Sequence, residues 1–263
     1  MKPSVDNRNN IKSIVKAAKI IDAIAFERRS MSLSELSDKV KIAKSTLHGL
    51  LSTLVNIGYI DQESDSGYYK LGVELFELGS QISSTWNEKN LAKSWMRRLA
   101  EEVNETVHLA MLSNGEVLYV DKMESTQSIR IETAPGVKLP AHCTGLGKVL
   151  LAYQPKKEFE HILDSKGMKA YTAKTITNRR LLERELAEIR QNGVGMDDQE
   201  FLDGLRCVAA PIFDVNGRIL FALSISGPLF RMSNDALENY RMKIKNIGME
   251  ISEKLGYRSQ KGL

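Results

Sequence analysis

The chain has 263 residues, a formal net charge of +4, 42% hydrophobic residues and 27% charged residues. This balance is ordinary for a globular protein, and the length is sufficient for two domains. No apolar run reaches the roughly 18 residues that span a bilayer, and residues 1–10 lack the apolar core of a signal peptide. Cys143 and Cys207 are too few for a disulfide framework or a zinc knuckle. We therefore expect a cytoplasmic protein.

Positive charge is concentrated in the amino-terminal part of the chain. Residues 1–60 contain about 10 Lys and Arg against about 5 Asp and Glu, so the remaining residues sum to roughly −1. A basic segment of this kind is the electrostatic footprint that a nucleic-acid-binding domain requires. The charge distribution therefore favours DNA binding by this segment.

A pair of short helices is predicted in the basic segment. Ser32 and Glu35 have the spacing of a capping box, which begins a helix that runs to Val40. Residues 41–43 form a tight connection, and a second helix begins near Lys44. This arrangement is typical of a helix-turn-helix.

The second helix of the pair is amphipathic. Its apolar stripe, at helical spacing, consists of Leu47, Leu50, Leu51 and Leu54. The opposite face carries short polar side chains and a cation, which suit phosphates and base edges. The expected DNA contacts are Ser34, Lys44, Ser45, Thr46, His48 and Ser52.

A small hairpin follows the helix pair. Residues 59–62 and 68–71 have the composition of short strands, and Asp-Ser-Gly at 65–67 forms a turn between them. The helices and this wing predict a winged helix-turn-helix over residues 11–72, after a disordered arm at 1–10. A folded corner without DNA-binding activity is the alternative interpretation of the same pattern.

One further helix is predicted on each side of the helix pair and wing. The helix before it has an apolar face that we expect to pack behind the pair: Ile14, Ala17, Ala18, Ile21, Ile24 and Ala25. A linker helix is expected at 73–86, with the domain boundary between Ser83 and Asn87. Phe76 and the region of Trp86 offer apolar surface for self-association, which a chain with one recognition helix needs to read a palindromic operator.

Residues 87–257 have the pattern of an α+β domain, followed by a tail at 258–263. The period is helical at first and alternating from about Thr106 onward. Strands are predicted at 106–112, 116–122, 128–133, 207–213 and 218–226, and helices at 87–103, 145–153, 156–164, 178–191 and 233–255. Hairpins flanked by helices imply an antiparallel sheet covered by helices, as in sensor domains.

Two segments of this domain have the chemistry of a site for a small acid. Thr-Gly-Leu-Gly at 144–147 precedes a helix, where backbone amides can face a carboxylate, although a tight turn is the alternative. Ser224 and Ser226 alternate with apolar residues and so point to one face of their strand. Polar side chains on an inward face need partners such as a bound ligand, whereas an outward face needs none.

Several sequence blocks occur in order along the chain. They are Lys-Ser-Thr-Leu at 44–47, Gly-Tyr at 58–59, and the longer segments 139–148, 204–211 and 223–228. In these blocks the chain resembles the IclR family of bacterial transcriptional regulators, from about residue 11 to residue 257. The resemblance implies a winged amino-terminal domain, a GAF-like effector domain and a dimer or tetramer. It also implies operator DNA whose binding responds to a small organic acid, and we expect a repressor.

The resemblance also implies an effector pocket. Its lining would comprise Leu139, Gly145, Leu146, Asp197, Cys207, Ser224 and Ser226. The amides of Gly145 and Leu146 would bind a carboxylate, the serine hydroxyls would form hydrogen bonds, and Asp197 would bind a hydroxyl or keto end. Ser128, in place of an apolar residue, hints at a more polar pocket and a sugar acid. No cofactor is expected.

The recognition helix departs from the family at His48-Gly49, where a bulky polar pair is frequent. A glycine inside a helix costs about 1 kcal/mol relative to alanine and offers no base contact. Base readout is then expected from Lys44, Ser45, Thr46 and His48.

Three other functions fit parts of the sequence. Cys207 with His142 and Asp197 would make a nucleophilic enzyme, although nothing in the sequence brings His142 near Cys207. These three residues and Cys143 are competent metal ligands, but their spacing is not that of a dense metal motif. An architectural DNA binder would leave about two thirds of the chain without a task. We therefore predict a regulator, neither an enzyme nor a metal protein.

Overall fold

The computed structural model describes residues 10–129 and 133–258. The helices are α1 (Lys12–Glu27), α2 (Leu33–Val40), α3 (Lys44–Asn56), α4 (Val73–Thr85), α5 (Asn87–Val103), α6 (Gly145–Ala152), α7 (Lys156–Lys166), α8 (Arg179–Asn192) and α9 (Asn234–Lys254). The strands are β1 (Ile60–Gln62), β2 (Tyr69–Leu71), β3 (Thr106–Ser113), β4 (Glu116–Met123), β5 (Lys138–Pro140), β6 (Gly195–Asp198), β7 (Leu205–Phe213) and β8 (Ile219–Pro228). The chain divides into two compact units between Trp86 and Asn87. None of these helices is both long and apolar enough to cross a membrane.

The first unit is a winged helix-turn-helix. A capping box begins α2, because Ser32 Oγ accepts a hydrogen bond from the Glu35 amide and the Glu35 carboxylate accepts one from the Ser32 amide. Lys41, with a φ of 55°, ends α2 in the left-handed conformation. Strands β1 and β2 pair antiparallel as the wing. The predicted helix pair and hairpin are therefore confirmed.

The core of the first unit lies between α1, α2, α3 and the wing. Leu36, Leu47, Leu51 and Ile60 are completely buried there. Leu50 is only half-buried, so it lies at the margin of the apolar stripe predicted for α3. The buried stripe of α3 fixes which side of this helix remains open to solvent.

The predicted packing face of α1 is partly wrong. Ile14, Ala18 and Ala25 are exposed, whereas Ile20 and Ala23 are buried against the other helices. Apolar residues occur on nearly every side of this helix. Helical spacing alone therefore does not determine which side packs.

The second unit is built on a six-stranded sheet in the order β5-β4-β3-β8-β7-β6, with every pair antiparallel. Ala209 belongs to the apolar cluster that contains Leu146 of α6. Its neighbour Ala210 lies beside Gly248 of α9, so α6 and α9 cover opposite faces of the sheet. This architecture confirms the predicted α+β fold with an antiparallel sheet and flanking helices.

The two edge strands of this sheet were not predicted. Strand β5 pairs with β4 at one edge, and β6 pairs with β7 at the other. Segments of three or four residues are too short for an alternating pattern to be recognised. The strand predicted at 128–133 falls in part on residues 130–132, which lie outside the described residues, and residues 128 and 129 form a bend.

Candidate functional site

The first group of predicted site residues lies on the surface of α2 and α3. All six of its members are exposed: Ser34, Lys44, Ser45, Thr46, His48 and Ser52. Lys44 Nζ lies 2.9 Å from Ser34 Oγ, so a side-chain hydrogen bond links the first turns of the two helices at the surface. Because Leu47 and Leu51 are completely buried, the hydrophilic side of α3 faces outward from its unit.

The second group of predicted residues converges on one face of the large sheet. The strand register places Asp197 opposite Cys207, Cys207 opposite Ser226, and Ser226 opposite Thr106. Residues directly opposite each other in paired strands share a face of the sheet. All four side chains are buried, and we call Asp197, Cys207, Ser226 and Thr106 the polar row.

Ser224 and His108 lie opposite each other beside the polar row. Ser226 Oγ lies 3.4 Å from both Ser224 Oγ and His108 Nδ1, and His108 Nε2 lies 2.6 Å from Thr133 Oγ1. The ring of Tyr119 meets the imidazole edge to face, with centroids 5.1 Å apart. Burial, with a smaller effect of Lys122, lowers the pKa of His108 to about 3, so the imidazole is neutral at physiological pH.

The amino terminus of α6 borders the polar row. Thr144 caps this helix, because its Oγ1 accepts a hydrogen bond of 3.2 Å from the Gly147 amide. A Cβ placed on Gly145 would lie 3.5 Å from both the Asp197 amide nitrogen and Cys207 Cβ. The partial positive charge of a helix amino terminus therefore lies beside the polar side chains.

The remaining two predicted lining residues are apolar and lie elsewhere. Leu146 belongs to the apolar cluster between α6 and the sheet, and Leu139 packs against the same cluster. Leu139 lies on β5, at the opposite edge of the sheet from Asp197. Ser128 is exposed in a bend, so its position gives no support to the expected polar pocket wall.

Asp197 is a buried carboxyl group with 1% of its surface exposed. Its Oδ1 accepts a hydrogen bond of 2.7 Å from the Glu200 amide. Burial, only partly offset by that hydrogen bond, raises the pKa of Asp197 to about 7. The group therefore exchanges between donor and acceptor states near neutral pH.

A buried ion cluster lies close to Asp197. Lys148 of α6 is completely enclosed and donates hydrogen bonds to Glu200 and to Glu185, the second at 2.9 Å. Burial lowers the pKa of Lys148, but the two carboxylates outweigh this effect and raise it above its ordinary value. Glu200 Oε2 has no hydrogen-bond partner among the described residues.

His142 and the two cysteines do not form the pair that an enzyme would need. His142 Nε2 lies 3.0 Å from the Lys169 carbonyl oxygen. Burial raises the pKa of the Cys143 thiol to about 12 and also raises that of Cys207, so both are protonated and poor nucleophiles. Within residues 10–129 and 133–258, no three His, Cys, Asp or Glu side chains are arranged to hold a metal ion.

Comparison with known proteins covers both units of the chain. The model of the bacterial transcriptional regulator IclR C-terminal domain matches residues 82–253, and that of the IclR helix-turn-helix domain matches residues 13–64. The chain belongs to the IclR family. It is therefore a DNA-binding transcriptional regulator, as the sequence resemblance predicted.

Relatives in this family align over nearly the full chain. KdgR of Escherichia coli (strain K12), an HTH-type transcriptional regulator, is 34% identical over 249 residues, which are 95% of this chain and 94% of KdgR. The transcriptional repressor IclR of the same organism is 32% identical over 244 residues, 92% of this chain and 89% of that protein. These relatives are regulators rather than enzymes, which excludes the enzymatic alternative.

Solved structures of the family share the fold. The Thermotoga maritima IclR crystal structure has a TM-score of 0.70 and 34% identity, covering 94% of this chain and 100% of that chain. An IclR homologue from Microbacterium hydrocarbonoxydans, crystallised with 4-hydroxybenzoate, has a TM-score of 0.79 and 23% identity. That match covers 92% of this chain and 98% of the homologue.

Three side chains beside the predicted pocket of this IclR-family chain were missed from the sequence. Thr106 and His108 alternate with the apolar Val107 and Leu109, which is the signal that identified Ser224 and Ser226. Tyr119, on β4, gave no such signal, because its place beside His108 follows from a bulge in the β3–β4 pairing.

Proposed function

We propose that this IclR-family protein is a cytoplasmic repressor whose binding to operator DNA is modulated by a small organic acid. The observation that carries the proposal is the buried polar row beside the amino terminus of α6. Buried polar groups need hydrogen-bond partners, and a helix amino terminus favours an anion. A carboxylic acid supplies both, and no cofactor is invoked.

The proposed pocket uses the seven residues that the family resemblance implies. The carboxylate would bind the amides of Gly145 and Leu146, where α6 begins. Ser224 and Ser226 would donate or accept hydrogen bonds along the ligand, Asp197 and Cys207 would line one end, and Leu139 would form part of an apolar wall. The homologue crystallised with 4-hydroxybenzoate is consistent with an acid as effector.

The proposed DNA-contacting surface is the exposed side of α3 with Ser34. Base edges would be read by Lys44, Ser45, Thr46 and His48, and Lys44 would also contact a phosphate. Ser34 and Ser52 would complete the surface. Ala43 provides no side-chain cap for α3, so the first amides of this helix are available to a phosphate oxygen.

We further propose that the protein acts as a homodimer or homotetramer on an approximately palindromic operator. One recognition helix per chain reads one half-site, and two half-sites lie about one helical turn apart. In this proposal the linker at 73–86, which contains α4, joins the DNA-binding domain at 11–72 to the effector domain at 87–257. The acid would change the spacing of the two recognition helices and hence operator affinity.

The DNA-binding surface is tested by Lys44→Ala. Removing one phosphate contact should weaken binding and lower the slope of log affinity against log salt by about 1. The measurement is a gel-shift titration at several salt concentrations, on a DNA fragment selected by wild-type protein from a random pool. Lys157→Ala is the matched control, because Lys157 is exposed on the effector domain. An unchanged slope for Lys44→Ala rejects the contact.

The effector site is tested by thermal unfolding against a panel of small carboxylates. A ligand at 100 times its dissociation constant should stabilise the native state by about 2.7 kcal/mol. Operator affinity, measured with and without the stabilising acid at fixed salt, should then differ. A panel without any shift favours a DNA binder that has no ligand.

A further inference from the structure

Thr106 has a buried hydroxyl that the proposed pocket does not use. The residue is 1% exposed, and its Oγ1 makes no hydrogen bond within the part of the chain that the structure describes. An unpartnered buried hydroxyl destabilises a fold, because it has lost its hydrogen bonds to water without replacement. Since Thr106 lies opposite Ser226 on the α6-facing side of the sheet, a ligand in the polar row can supply the missing partner.

His108 lies two residues further along the same face of β3. Its contact with Ser226 Oγ, at 3.4 Å, is long for a hydrogen bond, so Nδ1 remains available for a shorter one. The neutral imidazole has one donor and one acceptor nitrogen. Nε2 is engaged by Thr133 Oγ1, so the ring offers Nδ1, which donates or accepts according to the tautomer and suits a hydroxyl group, which can do both.

Tyr119 contributes a third neutral polar group. Its side chain is buried, and its ring meets the imidazole of His108 edge to face, with centroids 5.1 Å apart. Burial raises the pKa of this phenol, and the nearby Cys207 and Asp197 raise it further, which places Tyr119 close to the polar row. A protonated phenol is a hydrogen-bond donor to a hydroxyl or keto oxygen.

These three residues are on β3 and β4, and β8 separates those strands from β7, against which the carboxylate is proposed to bind. Thr106 and His108 are on β3, two strands from Cys207 on β7, which is roughly 10 Å at the usual strand spacing. Gly145 and the amino terminus of α6 lie against Cys207. An acid held by its carboxylate at α6 would therefore direct its other end toward Thr106, His108 and Tyr119.

We propose that Thr106, His108 and Tyr119 form a hydroxyl wall that selects acids with hydroxyl or keto oxygens beyond the carboxylate, such as sugar acids. The inference rests on the proposed function, because it assumes that a carboxylate binds at α6. It names three specificity-determining residues and the chemical class that they select.

The test compares acids of equal chain length. Gluconate and hexanoate have six carbons each, and lactate and propionate have three, but only the first of each pair carries hydroxyl groups. Calorimetric titration of the full-length wild-type protein should show at least tenfold tighter binding of gluconate than of hexanoate. The preference for lactate over propionate should be smaller, because a three-carbon acid held at α6 reaches less of the wall.

Two variants remove one hydroxyl each with little change of shape. Thr106→Val and Tyr119→Phe should reduce the preference for gluconate over hexanoate at least fivefold, through weaker binding of gluconate, because hexanoate has no hydroxyl group to bind the removed one. Thr106→Val should also keep or raise the melting temperature, because it removes an unpartnered buried hydroxyl. Loss of gluconate binding without loss of stability separates ligand recognition from a structural role. The matched control is Thr177→Val at an exposed threonine, which should change neither quantity.

The experiment distinguishes failure of the hydroxyl-wall proposal from failure of the proposed effector function. Equal wild-type affinities for gluconate and hexanoate, or a full preference retained by both variants, would overturn the hydroxyl wall while the acid site stands. If none of these acids binds, and acetate, glyoxylate and 4-hydroxybenzoate also fail to bind, the proposed effector function itself is rejected.

Discussion

Between pH 3.8 and about 7, the Asp197 carboxyl group is protonated in the folded protein but ionised in the unfolded chain. The ordinary pKa of 3.8 becomes about 7 in the folded protein, so the folded state binds more protons between these values. The resulting stabilisation is fully present below pH 3.8 and is lost as the pH rises through about 7. At 1.36 kcal/mol per pKa unit, the whole change is roughly 4 kcal/mol.

Asp197→Asn should remove this pH dependence. The amide keeps an Oδ1 acceptor for the Glu200 backbone and cannot ionise. We expect the variant to gain stability relative to wild type as the pH rises from 4 to 7, with no further gain above that range. Urea unfolding at a series of pH values measures the difference. Parallel curves for the two proteins would contradict the assignment.

Lys148 provides a second residue-scale prediction. Lys148→Met removes the cation that compensates Glu200, and a buried carboxylate left without its partner destabilises a protein by about 3–5 kcal/mol. Denaturant unfolding should show this loss. Adding Glu200→Gln should restore a large part of it, because the second change removes the uncompensated charge. A single-variant loss below about 1 kcal/mol would contradict a charged buried pair.

At this scale the sequence predicted which side chains are polar and on which side they lie, but not which of them meet. The outward side of α3 follows from leucine spacing within one helix. The neighbourhood of His108 and Ser226 depends instead on the register between β3 and β8, which are far apart in the chain. No pattern within a single strand contains that register.

At the scale of elements, the two glycines at the start of α6 differ in whether the structure has room for a side chain. A Cβ on Gly147 would lie 2.3 Å from the Ala141 carbonyl oxygen and 2.4 Å from Ala141 Cα, both backbone atoms. A Cβ on Gly145 would meet only ordinary contacts at 3.5 Å or more. Residues 141–144 can therefore approach α6 this closely because residue 147 has no side chain, whereas residue 145 could carry a methyl group.

Gly147→Ala should destabilise the protein by about 1–3 kcal/mol, the usual result of overpacking. Gly145→Ala should be neutral or stabilising by up to about 1 kcal/mol, because alanine favours a helix. Thermal unfolding of both variants measures the contrast. In the proposed pocket the added methyl group at Gly145 would lower affinity for the acid without loss of stability. Equal stability of the two variants would contradict the packing described.

The long helices and the hairpins were predicted well, whereas the two edge strands of the large sheet and the packing side of α1 were not. The bounds of α5 and α9 agree with the predicted helices to within one residue at each end, because long amphipathic patterns average out local exceptions. Strands β5 and β6 form because they pair with β4 and β7, respectively, at the two edges of the sheet. The packing side of α1 is likewise decided by tertiary contacts rather than by its own composition.

At the scale of the whole molecule, the linker helix α4 carries large apolar side chains that are exposed to solvent. It contains no buried residue, and Phe76 is 73% exposed, with Val73 and Ile82 similarly open. Exposed apolar groups of this size commonly mark an interface. The proposed self-association gives them a partner.

Phe76→Glu should weaken self-association at least tenfold, because it places a charge in an apolar contact. Sedimentation velocity over a range of protein concentrations measures the change. Gln81→Glu is the control on the same helix, since Gln81 is exposed and already polar. An unaltered association constant for Phe76→Glu would assign the interface to another surface.

Both sulfhydryl groups of the chain, those of Cys143 and Cys207, are free, enclosed and held in the protonated form. Peroxide and alkylating reagents attack the thiolate, and they need access to it. The native fold therefore shields both thiols from oxidation and alkylation. A maleimide dye would label the two cysteines only as fast as the domain that contains them opens. The labelling rate therefore measures the rate of that opening.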